Sequence, residues 1–196
     1  MNHVNMLNGY AILLASQSIR RKEILGNAGF QVRTIAADID ESLDKDWSPV
    51  QAAMLLAEKK ADAISNLALK NEVIIAADTI VALDDKIYGK PENLQESLTF
   101  LRDLSGHTHQ VITGVCIVYG GQKLVFQELT NVHFRSLVEQ EINYYIHNYE
   151  TLDKAAAYGI QDWIGWVGVT KIEGCYLNVV GLPLPRLILE LQKLVF

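Results

Sequence analysis

The sequence predicts a mixed α/β fold, with helices flanking a sheet of parallel and antiparallel strands. Short apolar runs of strand length recur between longer segments whose apolar residues repeat at helical spacing. These strands and helices do not alternate strictly, and two long strand-like segments are separated by Gly120-Gly121, which is typical of a hairpin. The sheet is therefore expected to be mixed rather than purely parallel.

The first half of the chain is predicted to run strand, helix, strand, helix, strand. An apolar run over 10–15 predicts the first strand, a short helix follows, and 31–37 predicts the second strand. Ser48 is a suitable N-cap and Pro49 a suitable first helical residue, so a long helix is expected to begin there. Residues 73–83 are apolar almost throughout, which predicts a strand that is buried on both faces.

The second half of the chain is predicted to contain a hairpin and three helices. The hairpin pairs 111–119 with 123–134, and two of the helices cover 94–104 and 183–195. Gly106 is expected to end the first of these helices. Ser136 and Glu139 have the spacing of a capping box, which predicts that the remaining helix begins at Ser136 and continues through Tyr145.

Composition favours a globular protein of the cytoplasm. With 196 residues and 49% hydrophobic content, the chain can bury a core as one large domain or two small lobes. The net charge of −6 argues against a protein that coats nucleic acid, although a local basic pocket could hold a small anion. No apolar run approaches membrane-spanning length, and Cys116 and Cys175 have neither disulfide-framework nor zinc-ligand spacing. We therefore expect neither a membrane nor a nucleic-acid partner.

Asp78 interrupts the apolar strand and is the most informative residue of the chain. Desolvating an isolated carboxylate on such a strand costs on the order of several kcal/mol unless the group meets a metal, a cation or a reacting substrate. The alternative interpretation places Asp78 at a bulge or strand end, where it would cap backbone amides. The residue alone does not separate the two.

Ser16 and Ser18 lie where the first strand leads into the first helix. Free backbone N–H groups and the positive end of the helix dipole make such a position an anion site. The positive charges of Arg20 and Arg21 in the first helical turn lie at the positive end of the helix dipole, which costs about a few tenths of a kcal/mol each. A bound polyphosphate would make the electrostatic contribution of these arginines favourable. The alternative is a solvated basic helix start capped by Ser18, and the spacing fits both interpretations.

Two lysines are candidates for contact with the same anion. Lys60 is predicted on or beside the inward face of the long helix, whereas Lys59 is predicted to point away. An inward lysine needs an anion or must extend its ammonium to solvent. Lys90 follows the strand of Asp78 and the turn after it, so it is expected to return towards the same region.

Carboxylates before the long helix are candidate metal ligands. Asp38, Asp40 and Glu41, together with Asp78, could supply the hard oxygen ligands that Mg²⁺ prefers. Charge runs of this kind are more often solvated loops, so this interpretation depends on whether any of them meets Asp78.

Seven short motifs occur in order between residues 12 and 183. They are Leu14-Ala15-Ser16-Gln17-Ser18-Ile19-Arg20-Arg21, Ala77-Asp78-Thr79, Gly89-Lys90-Pro91, Leu104-Ser105-Gly106, Asp153-Lys154, Ala157-Tyr158-Gly159-Ile160-Gln161 and Val179-Val180-Gly181-Leu182-Pro183. A single motif would be weak, because short motifs recur by chance. Together they cover nearly the whole chain and resemble the Maf family of nucleoside triphosphate pyrophosphatases.

This resemblance implies a fold, an activity and a site. The fold would be one Maf-type domain over 1–196, similar to inosine triphosphate pyrophosphatase, with a long, mainly antiparallel central sheet and a cleft between two lobes. The activity would be hydrolysis of a nucleoside triphosphate to the monophosphate and pyrophosphate with a divalent cation, Mg²⁺, Mn²⁺ or Co²⁺. Asp78 would be the catalytic base or metal-organising acid, and Glu41 a second metal ligand. The residues that would bind substrate phosphates are Ser16, Ser18, Arg20, Arg21, Lys60 and Lys90.

The resemblance also suggests a substrate preference. Arg20, Thr79 and Gln161 match the positions that mark the dTTP/UTP pyrophosphatases, whereas the 7-methyl-GTP subfamily has a bulkier residue, a Gln and a Glu there. The chain departs from the usual family residues at Ile19, Ala156, Asp162 and Cys175, where Pro, Gly, Gly and Ser or Thr are usual. Asp162 puts a negative charge beside Gln161, the residue that the resemblance assigns to base preference.

Two alternative functions stay open. The chain could act on modified nucleotides such as pseudo-UTP, 5-methyl-UTP or 7-methyl-GTP, or it could bind a nucleotide as a regulator of cell division. In each case the partner is a nucleoside triphosphate, and a homodimer is a prior expectation because small enzymes often form one. Trp163 and Trp166 could stack on the base, with packing against the sheet as the alternative.

Overall fold

The computed structural model describes residues 10–195, which form seven strands and seven helices. The strands are β1 (Ala11–Ala15), β2 (Val32–Ile35), β3 (Glu72–Leu83), β4 (Lys86–Tyr88), β5 (Thr108–Tyr119), β6 (Gln122–Phe134) and β7 (Val169–Glu173). The helices are α1 (Ile19–Asn27), α2 (Pro49–Ala63), α3 (Leu94–Leu104), α4 (Glu139–Asn148), α5 (Trp163–Gly168), α6 (Tyr176–Val180) and α7 (Leu184–Val195). Between residues 10 and 195, no helix is both long and apolar enough to cross a membrane.

The strands form one mixed sheet in the order β2-β1-β3-β5-β6-β7, with β4 paired to β3. β1 is parallel to both β2 and β3, and a helix connects each consecutive pair of these three strands. β4 runs antiparallel to β3, and β7 antiparallel to β6. The predicted mixed α/β architecture is therefore confirmed.

The predicted hairpin between β5 and β6 is present. Gly120 and Gly121 connect the two strands with φ angles of 58° and 80°. A two-residue turn with positive φ at both central positions matches the right-handed twist of the strands that it joins, and glycine adopts this conformation without a steric cost.

Helix starts follow the predicted chemistry in one case and depart from it in another. Ser48 caps α2, where its hydroxyl accepts from the backbone N–H of Gln51 while the Gln51 side chain accepts from the Ser48 N–H. The predicted start of α4 at Ser136 is wrong, because this helix begins at Glu139. There the Glu141 carboxylate accepts from the backbone N–H of Val138 at 3.0 Å and so performs the role that the prediction gave to Glu139.

The chain divides into two compact units, in agreement with the two lobes that the resemblance implies. The first unit contains the chain up to Asp78, Thr113–Glu128 and the chain from Gly181, and the second contains Thr79–Ile112 and Leu129–Val180. In the first unit, small and branched apolar side chains pack α2 against β1, β3 and β5: Leu13, Ala15, Ala57, Ala61, Ile64, Ile74, Ala76 and Cys116. The core of the second unit is more aromatic, and includes Tyr88, Phe100, Phe134, Tyr145 and Tyr158.

Candidate active site

The loop between β1 and α1 leads directly into the N-terminus of a helix. The Ser18 side chain caps α1 by accepting from the Arg21 backbone N–H at 3.4 Å, and the Ser18 N–H donates to the hydroxyl of Ser16 at 3.1 Å. The helix therefore presents its positive end and its first turn at this loop. Ser16 is buried and Ser18 is half-buried. The two hydrogen bonds of these serines hold the loop in place.

Arg21 is fixed beside this loop by two further hydrogen bonds. Its Nε donates to the carbonyl of Gly181 at 2.8 Å, and one terminal nitrogen donates to the Ser16 hydroxyl at 3.3 Å. Burial lowers the pKa of Arg21, whereas the negative charges of Asp78 and Glu41 oppose that change and Arg20 adds to it. The charge of Arg21 thus interacts with those of Arg20, Glu41 and Asp78.

Asp78 lies inside β3, which excludes the strand-end interpretation of this residue. The parallel register pairs Ala15 with Ala76, so the β1–α1 loop begins where β3 continues towards Asp78. Asp78 is only 9% exposed, and its Oδ1 lies 2.5 Å from Nζ of Lys60. The buried carboxylate therefore meets a cation, as buried charges generally do.

Lys60 connects Asp78 to Glu41. Its Nζ lies 2.9 Å from Oε1 of Glu41 in addition to the contact with Asp78. The residue is buried on α2, whereas the neighbouring Lys59 is exposed, which confirms the predicted inward direction. Asp40, by contrast, accepts from the backbone and hydroxyl of Ser42, so this part of the acidic stretch forms a local turn.

Gly114 helps to position Lys60, and the sequence analysis missed it. A Cβ added at Gly114 would lie 2.2 Å from the carbonyl oxygen of Ala53, so α2 can approach β5 this closely only because residue 114 has no side chain. An isolated glycine within a strand-like run is a known signal of close backbone approach. That signal was present in the sequence.

The donor set of this site suits a divalent cation that arrives with a nucleotide. The described residues contain no cluster of three or more His, Cys, Asp or Glu side chains placed to hold a metal. However, the carboxylates of Glu41 and Asp78 already converge on one cation, the Lys60 ammonium. Mg²⁺ is commonly held by one or two carboxylates together with phosphate oxygens and water, so two carboxylates are a sufficient protein contribution.

The remaining predicted site residues belong to the second unit. Thr79 is half-buried on β3, Lys90 is exposed after β4, and Gln161 is half-buried before α5. The contacts that Lys60 makes with Glu41 and Asp78 lie within the first unit and do not test the roles predicted for Thr79, Lys90 and Gln161. Their predicted roles therefore stay predictions.

The segment that carries Gln161 is anchored by buried tyrosines. The Tyr158 hydroxyl lies 2.6 Å from Nε2 of His109, and burial lowers the pKa of His109 to about 3. The backbone N–H of Gly159 donates to the Tyr145 hydroxyl at 3.1 Å. These contacts fix the backbone immediately before Gln161, and a neutral imidazole contributes to them without a charge.

The carboxylate of Asp162 has polar partners within the second unit. The Tyr145 hydroxyl donates to its Oδ2 at 2.7 Å, and Nζ of Lys154 lies 3.7 Å from the same oxygen. Lys154 is itself buried. The carboxylate thus has a hydrogen-bond donor and a more distant cation within the second unit, although Lys154 lies closer to Asp153, at 2.9 Å. Neither Tyr145 nor Lys154 was predicted to take part.

The two tryptophans differ in their surroundings. Trp163 is half-buried, packs against the aromatic core of the second unit and makes an edge contact with Tyr144 at a ring distance of 4.8 Å. This agrees with the packing interpretation for Trp163. Trp166 is 73% exposed.

Three comparisons place the chain among known proteins. Residues 11–194 match the family described as "Maf-like protein". A dTTP/UTP pyrophosphatase of Bacteroides thetaiotaomicron is 44% identical over 190 residues, and another of Phocaeicola vulgatus is 46% identical, each match covering 96% of this chain and 98% of the relative. A solved structure of a nucleoside-triphosphatase / dITP/XTP pyrophosphatase from Mycobacterium abscessus aligns with 63% of this chain and 72% of its own, with a TM-score of 0.37 and 15% identity, too low to carry an argument. Since the family match and both relatives extend over nearly the whole sequence, the chain belongs to the family of Maf-like proteins.

Proposed function

We propose that this protein hydrolyses dTTP and UTP to the nucleoside monophosphates and pyrophosphate. The observation that carries the proposal is that Lys60 contacts both the buried Asp78 and Glu41, next to the phosphate-type loop at the start of α1. Relatives with the name dTTP/UTP pyrophosphatase, at 44% and 46% identity, support the choice of substrate.

The positive groups of the site bind the triphosphate. The N-terminus of α1 offers backbone N–H groups, and Arg21 is already oriented by Gly181 and Ser16. Arg20, Lys60 and Lys90 add positive charge, with Lys90 assigned by resemblance. Phosphate transfer requires mainly positioning and neutralisation of charge, and these residues supply both.

Asp78 acts as the general base. Water attacks the α-phosphorus, the bond from this phosphorus to the oxygen bridging the β-phosphate breaks, and pyrophosphate leaves. The Asp78 carboxylate accepts the proton that the water loses. A divalent cation held by Glu41 and Asp78, whether Mg²⁺, Mn²⁺ or Co²⁺, would neutralise phosphate charge and lower the pKa of the attacking water.

Base selection is assigned to Arg20, Thr79 and Gln161. Support comes from their match to the dTTP/UTP subfamily and from the anchoring of the Gln161 segment by Tyr145 and Tyr158. We further propose that 1–196 acts as a single Maf-type domain in the cytoplasm. If copies of the chain associate, we expect a homodimer. Light scattering of the purified protein would measure the molar mass and so the number of copies.

Product analysis tests the proposal. Purified protein is incubated with dTTP, UTP, CTP, GTP, pseudo-UTP and 7-methyl-GTP in ¹⁸O-labelled water, with Mg²⁺ and then with a chelator. We expect monophosphate and pyrophosphate from dTTP and UTP, with the label in the monophosphate, and loss of turnover after chelation. Diphosphate and phosphate as products, or binding without turnover, would contradict the proposal, while turnover confined to pseudo-UTP or 7-methyl-GTP would assign a modified nucleotide instead.

A further inference from the structure

The ammonium of Lys60 occupies the place where the two acidic side chains of the site converge. Its Nζ is 2.5 Å from Asp78 Oδ1 and 2.9 Å from Glu41 Oε1. The side chains of Lys60 and Asp78 are 10% and 13% exposed, whereas that of Glu41 is 53% exposed. The lysine is therefore a counter-ion within the protein for the oxygens that the proposed function assigns to a metal.

An ammonium and a divalent cation cannot occupy the same place between Asp78 Oδ1 and Glu41 Oε1. Mg²⁺ binds oxygen ligands at about 2.0–2.1 Å, so a cation on both carboxylates would overlap the space that Nζ holds at 2.5 and 2.9 Å. The two positive charges would also repel each other strongly at such a short separation. Binding of the divalent cation to both Asp78 Oδ1 and Glu41 Oε1 thus requires the Lys60 ammonium to move away.

Lys60 can leave without movement of its helix. α2 is fixed by Ala57 and Ala61, which are fully buried on either side of Lys60 in the sequence. The lysine side chain is a flexible chain of four methylene groups, and its ammonium is a point charge without the fixed geometry of a guanidinium. Arg21, in contrast, donates to the Gly181 backbone carbonyl and to Ser16, which holds it in one orientation.

We propose that Lys60 competes with the divalent cation for Glu41 and Asp78, and so couples metal binding to triphosphate binding. In the substrate-free protein Lys60 keeps the metal affinity low. When a triphosphate attracts Lys60, the two carboxylates become available to the cation. This inference rests on the proposed function for the identity of the anion, but not for the competition itself.

Metal binding to substrate-free protein tests the competition without any measurement of activity. Mn²⁺ is titrated by calorimetry into wild type, Lys60→Met and Lys60→Arg, with Lys59→Met as the matched control that removes an exposed lysine from the neighbouring position. We expect Lys60→Met to bind Mn²⁺ about 5- to 150-fold more tightly than wild type, the usual range for coupled ligands. Lys60→Arg and Lys59→Met should bind Mn²⁺ like wild type, and Glu41→Gln in the Lys60→Met background should remove the gain. Equal affinity of Lys60→Met and wild type would overturn the proposal.

A second measurement uses wild type alone, in case Lys60→Met does not fold. The rate of lysine acetylation is followed by mass spectrometry with and without Mn²⁺, and Lys59 is the internal reference. Displacement of Lys60 predicts faster acetylation of Lys60 on addition of Mn²⁺, whereas unchanged rates at both lysines would contradict it. Failure of turnover with normal competition would refute only the proposed function, and normal turnover without competition would refute only this inference.

The coupling itself is measured with the α,β-methylene analogue of UTP, which is not cleaved between the α- and β-phosphates. The analogue should raise the Mn²⁺ affinity of wild type more than that of Lys60→Met, because only wild type gains from the removal of the lysine. An equal rise in both proteins would mean that the phosphates act on the metal directly and that Lys60 has no part in the coupling.

Discussion

β3 carries two buried carboxylates that have different partners. Glu72 begins the strand and is 6% exposed, and Asp78 lies further along it and is 9% exposed. Both belong to the first unit. Burial is thus nearly the same, and any difference between them must come from the groups that they meet.

Glu72 is fully occupied by rigid donors. Nε and a terminal nitrogen of Arg33 donate to its two oxygens at 2.8 and 2.6 Å, and the backbone N–H of Leu69 donates at 2.9 Å. A bidentate guanidinium is the strongest and most specific partner of a carboxylate. This arrangement attaches β2 to β3 and leaves little capacity for a ligand.

Asp78 meets a flexible ammonium that it shares with Glu41. A lysine holds no fixed angle to a carboxylate, and a single ammonium divided between two acids leaves a net negative charge. The comparison teaches that burial alone does not mark a functional carboxylate. The informative property is a partner that can be exchanged for substrate or metal.

The largest structural effect is expected from Gly114→Ala, which would disturb the Asp78 site and leave the Arg33–Glu72 pair in place. The added Cβ would overlap the Ala53 carbonyl and displace α2 together with Lys60. Overpacking of this kind costs about 1–3 kcal/mol of the free energy of unfolding. Misplacement of a catalytic group by about 1 Å can lower turnover by about a hundredfold.

Gly26→Ala is the matched control, because nothing lies within 4 Å of a Cβ at that position in α1. This variant should keep wild-type turnover and gain up to about 1 kcal/mol of stability, as helical alanine generally does over glycine. Urea unfolding and initial rates on dTTP measure both proteins. Equal behaviour of the two variants would show that the approach of α2 to β5 does not position Lys60.

A smaller effect is expected from acid titration of the Glu72 pair. The hydrogen bonds from Arg33 hold the pKa of Glu72 below its ordinary value of 4.5. Because the folded-state pKa is lowered, this pair contributes stability above about pH 4.5 and loses it as the pH falls through the folded-state value. Arg33→Gln should therefore flatten the fall in the free energy of unfolding below about pH 4.5, as urea unfolding at each pH would measure. An unchanged pH profile would show that the pair does not act as described.

Much of the site could be predicted because it depends on local chemistry. A carboxylate in an apolar run, serines before a helix and a lysine in an apolar stripe are all visible in the sequence, and Asp78, Ser16, Ser18 and Lys60 lie as expected. The Ser48 cap was equally local. The acidic stretch was ambiguous, because only a contact distant in the sequence distinguishes Glu41 from Asp40.

The features that could not be predicted depend on long-range contacts. The start of α4 was misplaced because Glu139 pairs with Arg102 of α3, which leaves Glu141 to accept from the helix start. The partners of Asp162 could not be predicted, because no local sequence pattern connects it to Tyr145 or Lys154 and only the fold of the second unit brings them together. Gly114 gave a local signal, but the helix that it accommodates is known only from the fold.

The most direct test of the account compares dTTP turnover by Asp78→Asn and Glu72→Gln, two amide substitutions of buried carboxylates on the same strand. Thermal unfolding first establishes that both variants fold. We predict that Asp78→Asn loses about 10²- to 10⁴-fold in turnover, the usual contribution of a general base, whereas Glu72→Gln loses stability and keeps its turnover within about twofold. Wild-type turnover by Asp78→Asn, or an equal loss in both variants, would contradict the assignment of Asp78 as the exchangeable, catalytic carboxylate.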